Sequence, residues 1–138
     1  MPTANEVVRM FNAFDVNAAM KNRAPGGSLT LPYPPTTNKL YRVVNGRPII
    51  SAQGRAYKVT ASRIAVASGM IPIDSNVSVT LDVYRPAKRG DLDNTMKCLL
   101  DSLRGIAWHD DKQITHIEAR RHDDKSNPRV EIRIRSVA

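Results

Sequence analysis

The order of strand and helix signals along these 138 residues predicts a single α/β domain, a mixed β-sheet with helices packed on it. Three observations carry that expectation. Val77, Val79, Leu81 and Val83 alternate with Ser78, Thr80, Asp82 and Tyr84, the pattern of a strand with one buried face. Leu92, Met96, Leu99, Leu100 and Leu103 recur at offsets of 4, 7, 8 and 11, one apolar stripe at the helical period. Around them the chain reads β, hairpin, α, β, α, β, β, in a length that fits one domain with a real core.

Taken in order, residues 1–27 form an N-terminal extension. Val7, Met10, Phe11 and Phe14 have helical spacing, Thr3 with Glu6 can form a capping box, and 17–27 reads as a linker ending in Pro25-Gly26-Gly27. The domain proper is 28–138. Ser28 to Pro32 reads as a short strand with Leu29 and Leu31 inward, stopped by Pro32, Pro34 and Pro35, which lack backbone donors. Tyr41 to Ile50 reads as a hairpin around Asn45-Gly46. Ser51 to Ser68 reads as a helix capped by Ser51 and ended by Gly69, with a stripe of Ala52, Ala56, Val59, Ile64 and Ala67. After the strand at 77–84 and the helix near 91–104, Gln113 to Arg121 and Arg129 to Val137 are strands, joined by a polar turn at 123–128.

Charge narrows the partner. Lys and Arg number 21 against 13 Asp and Glu, a formal net charge of +8, which suits a polyanion, although a merely soluble basic protein has the same composition. No apolar run approaches 18 residues and no signal-peptide pattern opens the chain, so no membrane association and a cytoplasmic location are expected. Cys98 is the single cysteine; it fits a reducing compartment and packing, and no Cys/His spacing suggests zinc.

The stretch Lys88–Asp111 carries the chemistry. Asp91 and Asp93 stand at the start of the stripe, Lys97 lies one turn along, Gly105 closes the helix, and Asp110-Asp111 follow. Asp at a helix start is commonly a cap, an Asp93–Lys97–Asp101 ladder is commonly a solvated ion-pair row, and Asp-Asp is commonly a turn. Taken together they suit a hard cation: Mg²⁺ takes carboxylate oxygens, and close carboxylates are unfavourable until a cation neutralises them. Such an ion activates water and stabilises charge on a phosphate, and Lys97 offers a compact positive charge beside it. A strand following Gly105 can run back beside the helix start and return Asp111 toward Asp91.

Three ordered motifs resemble the RusA family of Holliday-junction resolvases, found in prophages and phages. The first is Asp91-Leu92-Asp93-Asn94, Lys97, Asp101 and Leu103, followed by Trp108, Asp110-Asp111, Gln113 and Ile114. The second is Leu31-Pro32-Tyr33-Pro34-Pro35-Thr36-Thr37-Asn38 with Tyr41-Arg42, and the third is Ser51, Gly54 and Tyr57. The similarity runs from about Ser28 to the C-terminus; residues 1–27 have no counterpart in the compact members. The resemblance implies that Asp91, Asp93 and Asp111 bind an essential Mg²⁺, that Lys97 is the essential lysine, and that Asp110 is an outer or structural neighbour. It also implies a homodimer, which suits a near two-fold-symmetric four-way junction that needs two matched nicks.

The expected function is therefore Mg²⁺-dependent resolution of Holliday junctions in DNA recombination and repair. Arg42, Lys88, Arg89, Arg120 and Arg121 are candidate DNA contacts, weighed against solvated arginines on a hairpin and a sheet face. Asp82 is weighed as an extra carboxylate against a plain strand residue. The rival readings are a flap or fork nuclease of the same chemistry and a non-catalytic basic DNA-binding protein.

Overall fold

A computed structural model describes residues 23–87 and 92–137, apart from the side chains at 37, 38, 93 and 94. Asp91, Lys88, Arg89 and the helix expected near Val7–Phe14 lie outside the described residues. The first two strands are β1 (Ala24–Pro25) and β2 (Gly27–Pro32), followed by a one-turn α1 (Thr37–Leu40). A hairpin of β3 (Tyr41–Val44) and β4 (Arg47–Ile50) leads to α2 (Ala52–Ala67) and β5 (Met70–Ile71). The long strand β6 (Asn76–Arg85) precedes a 3₁₀ turn (Leu92–Thr95) and α3 (Met96–Leu103). A second 3₁₀ turn (Asp111–Gln113), β7 (Ile114–Asp123) and β8 (Arg129–Val137) complete the chain.

The central sheet is mixed, in the order β2-β8-β6-β7. β8 runs antiparallel to both β2 and β6, whereas β6 and β7 are parallel, so α3 lies in a β–α–β crossover. Alternation along the strands puts Val77, Val79, Leu81, Val83, Val130, Ile132 and Ile134 in one buried layer. Tyr57, Ala61 and Ile64 of α2, Cys98, Leu99 and Leu103 of α3, and Trp108 complete that core. Strand β1 pairs with β5, and β2 already begins at Gly27, so Ala24, Pro25 and Gly27, read as linker from the sequence, pair with the fold.

Local chemistry explains the hairpin and α2. Asn45 and Gly46 have φ of 51° and 75°, the two left-handed residues a tight hairpin turn needs. The Ser51 hydroxyl accepts from the Gly54 N–H at 3.0 Å and donates to the Lys39 carbonyl, capping α2. The stripe expected on α2 is corrected. Ala52, Ala56 and Val59 are exposed, and the buried row is Gly54, Tyr57, Ala61, Ile64, Ala65 and Ala67. Gly54 belongs to it because Leu40 packs directly over the backbone there; an added Cβ would lie 2.8 Å from Leu40 Cδ1 and 3.0 Å from the Leu40 carbonyl oxygen. Tyr57 belongs because its hydroxyl donates to the Pro32 carbonyl at 2.7 Å, satisfying its polar end.

The helix expected to start at Asp91 or Asp93 instead opens as a 3₁₀ turn, and its α portion begins at Met96. The Thr95 hydroxyl donates to the Leu92 carbonyl at 3.3 Å, a local bond that closes the tighter turn. Gly105, with φ of 86°, ends the helix as expected. Cys98 is fully packed, and burial pushes its thiol up to about 11, so it is no nucleophile near neutral pH.

Candidate metal and nuclease site

The β6–α3–β7 unit carries the candidate site residues at its two ends. At the end where α3 stops, Trp108 is completely buried, and its indole Nε1–H donates to Asp111 Oδ1 at 2.8 Å. The other oxygen, Oδ2, faces an Arg104 guanidinium nitrogen at 3.8 Å. Asp110 is engaged by the backbone instead. Its carboxylate accepts from the Lys112 N–H at 2.9 Å and caps the 3₁₀ turn that contains Asp111. Gln113 completes a capping box, its Oε1 accepting from the His109 and Asp110 N–H groups at 2.7 and 2.9 Å. Gln113 Nε2 donates to the Ile73 and Ser75 carbonyls, fastening this turn to the segment that leads into β6. Asp110 is thereby committed to the backbone, while Asp111 keeps one oxygen beside an exposed arginine.

The other end of the unit is where β6 stops. Arg85, its last residue, is buried, and its guanidinium holds Asp123 Oδ1 at 2.7 and 2.8 Å, tying the ends of β6 and β7 together. Arg129 lies 3.7 Å over the Tyr84 ring and bonds Asp124 and Glu131. Hydrogen bonds from Ser126 and Arg129 hold the Asp124 carboxyl below its usual range. Beyond this strand end, Asp93 lies in the 3₁₀ turn that opens α3. Lys97 follows one turn later, half-exposed, with Nζ 3.6 Å from Asp101 Oδ2. Lys58 of α2 approaches the same oxygen at 4.0 Å, so Asp101 spans the two helices rather than joining a metal site.

The two ends are not brought together within one chain. The strand after Gly105 does run back along α3, but Asp111 precedes it and stays beside Arg104, at the far end of the helix from Asp93. At ~1.5 Å per residue in α3 and ~2 Å in the 3₁₀ turn, Asp93 and Arg104 are about 15–20 Å apart along the axis. Magnesium binds oxygen at about 2.1 Å, so one ion cannot span that gap. Among the described residues no three His, Cys, Asp or Glu side chains form a metal-binding group. The donor chemistry of Asp91, Asp93 and Asp111 fits a hard divalent cation; the length of α3 separates the Asp93 backbone from the Asp111 turn within one chain.

The remaining candidates separate by face. Arg42 is exposed on the β3–β4 hairpin. Arg120 aligns with Asp82, and Arg121 aligns with Val83, so neighbouring arginines of β7 point to opposite faces of the sheet. Arg120 also bonds Glu118 at 2.7 Å. Asp82 is engaged by His122 Nε2 at 2.8 Å on the polar face and is not directed toward the α3 side. His109 pairs with Asp74 at 2.7 Å.

The sequence profile described as Endodeoxyribonuclease RusA matches residues 32–135. The chain belongs to the RusA family. It is 38% identical over 91 residues to the RusA crossover junction endodeoxyribonuclease of Shigella sonnei (strain Ss046), covering 63% of this chain and 75% of that protein. The Escherichia coli K12 protein of the same name is 37% identical over the same shares. That of Enterobacteria phage 82 is 38% identical over 89 residues, 62% of this chain and 74% of its own. Relatives therefore come from both bacteria and a phage. No helix among the described residues is long and apolar enough to cross a membrane.

Membership in the RusA family gives the motif residues their setting, and the structure adds three contacts to it. Gln113 had a legible signal, because Asp110-x-x-Gln113 is a capping-box spacing. Trp108, just before the acidic pair, reads from the sequence as its anchor on the core, whereas its bond to Asp111 and the Arg104 approach depend on how the turn after Gly105 folds back.

Proposed function

We propose that this chain is a Mg²⁺-dependent endodeoxyribonuclease that resolves four-way DNA junctions as a homodimer, in DNA recombination and repair. The observation that carries the reading is the fixing of the two family motifs at opposite ends of α3, Asp93 at one and Asp111 at the other. A dyad that exchanges those ends sets Asp91 and Asp93 of one copy beside Asp111 of the partner subunit. It does so twice, giving two equivalent centres for two matched nicks. A junction has the same two-fold symmetry, so one arrangement supplies both a complete donor set and the spacing of paired cuts. The names of the similar proteins support the same substrate.

The bound cation would polarise the scissile phosphate and lower the pKa of water beside it. Asp91, Asp93 and Asp111 would supply its oxygen donors. Lys97, one turn along the same helix, presents an ammonium that neutralises a phosphate oxygen as negative charge grows there. Asp101, 3.6 Å from that ammonium, holds the side chain along α3. Arg42, Lys88, Arg89 and the arginines of β7 add positive charge for the junction arms, making binding strongly salt-dependent.

The test is cleavage of a labelled synthetic four-way junction with Mg²⁺, with EDTA, and by Lys97→Ala, beside flap, fork and linear duplex controls. Paired symmetric nicks in the junction alone, lost with EDTA and reduced about 10²-fold or more in the variant, are expected. Equal cutting of flaps and forks would make the protein a general branched-DNA nuclease. Junction binding without cleavage in any metal would make the acidic residues structural.

A further inference from the structure

We infer that Trp108 is a positioning residue for the metal centre, aiming the Asp111 carboxylate through its indole N–H; this rests on the reading of Asp111 as a metal ligand. Trp108 is wholly buried, so its ring cannot move without disturbing the core. Its Nε1–H nevertheless reaches outward to Asp111 Oδ1 at 2.8 Å, and Asp111 is itself part-exposed. A buried tryptophan needs a partner for its single donor, and here that partner is a carboxylate at the surface.

The consequence is directional. One oxygen of Asp111 is fixed by a donor that cannot rotate away, and the other is turned to the side occupied by Arg104. Outer partners of this kind commonly decide how well a metal ligand is presented. The backbone is fixed in the same sense, because the capping box of Asp110 and Gln113 holds the turn that carries Asp111. Asp111 is therefore presented by a rigid surface at a protein edge, as a centre completed by a second copy requires. Packing alone would be met by any large apolar residue; only an N–H donor orients the carboxylate.

Trp108 is also the only tryptophan in the chain, so its emission reports directly on the bond to Asp111. The experiment uses the full-length protein. Mg²⁺ is expected to change tryptophan emission saturably in the wild type and to leave it unchanged in Asp111→Asn. In parallel, Mn²⁺ binding is read from loss of the free-ion paramagnetic resonance signal. Trp108→Phe, which keeps an aromatic ring and removes the donor, is expected to bind Mn²⁺ about 10- to 100-fold more weakly while retaining its melting transition and oligomeric state. Wild-type Mn²⁺ affinity in Trp108→Phe, with binding lost in Asp111→Asn, would overturn the inference and leave Trp108 as packing. Unchanged Mn²⁺ affinity in Asp111→Asn would instead overturn the assignment of Asp111 itself. Should Trp108→Phe fail to fold, the emission arm still decides. A wild-type protein that binds Mn²⁺ through Asp111 yet shows no Mg²⁺ response at Trp108 would contradict the inference.

Discussion

The two ends of α3 are built differently. Where the helix stops, Trp108, Asp110, Asp111 and Gln113 are joined by side-chain hydrogen bonds to each other and to the backbone ahead of β6. Where it starts, the described contacts are a 3₁₀ turn closed by Thr95 and strand ends clamped by Arg85–Asp123 and Arg129–Asp124. One end holds a single carboxylate in a rigid frame; the other carries Lys97 in the first turn of α3. Within each chain α3 separates the Asp93 backbone from the Asp111 turn by about 15–20 Å. Under the proposed function neither end is a site alone, and a partner and a cation complete it.

The largest effect expected is at the start of α3. Asp93→Asn removes a charge from the proposed cation donors but none from the basic surface. Cleavage should fall by about 10³-fold or more, corresponding to several kcal/mol of lost charge stabilisation, while a gel-shift assay shows junction binding retained. Binding lost together with folding would mean that Asp93 is a structural residue.

Gln113→Ala probes the other end. It removes four hydrogen bonds that hold the Asp111 turn, so a urea titration should show a loss of about 2–3 kcal/mol. Metal affinity should weaken in parallel. A stable variant with weakened metal binding would show that the network orients the site without supporting the fold.

Gly54→Ala lies away from both ends and checks that the comparison is local. The added methyl meets Leu40 Cδ1 at 2.8 Å, a cost of about 1–3 kcal/mol set against a helix-propensity gain of about 1 kcal/mol. A net loss of about 1 kcal/mol by urea, with wild-type cleavage by the remaining folded protein, is expected. Altered metal dependence would tie α2 to the site.

Much of the fold was legible because its signals are periodic. The alternation of Val77–Tyr84, the Asn45-Gly46 turn and the Ser51 cap each act within a few residues, and each appears where the pattern put it. The stripe of α2 was misread because its buried face depends on Gly54, small by necessity, and on Tyr57, polar at one end. Neither carries a strong hydrophobic signature. The site was legible as motifs but not as geometry. Spacing in sequence made Asp111 look free to return to Asp91, whereas the parallel pairing of β7 with β6 starts the strand at the opposite end. Parallel order is a long-range property that no local pattern encodes.

The central claim is that each cutting centre is completed across the dyad. The most direct measurement mixes Asp93→Asn and Asp111→Asn chains, each inactive alone, under conditions that exchange subunits, and assays four-way junctions. Centres shared between chains predict that half of the heterodimer's sites regain every carboxylate, restoring single nicks at one of the two symmetric positions. Centres confined to one chain would leave every heterodimer with two defective sites. A mixture as inactive as either variant, with heterodimers demonstrably formed, would contradict the account.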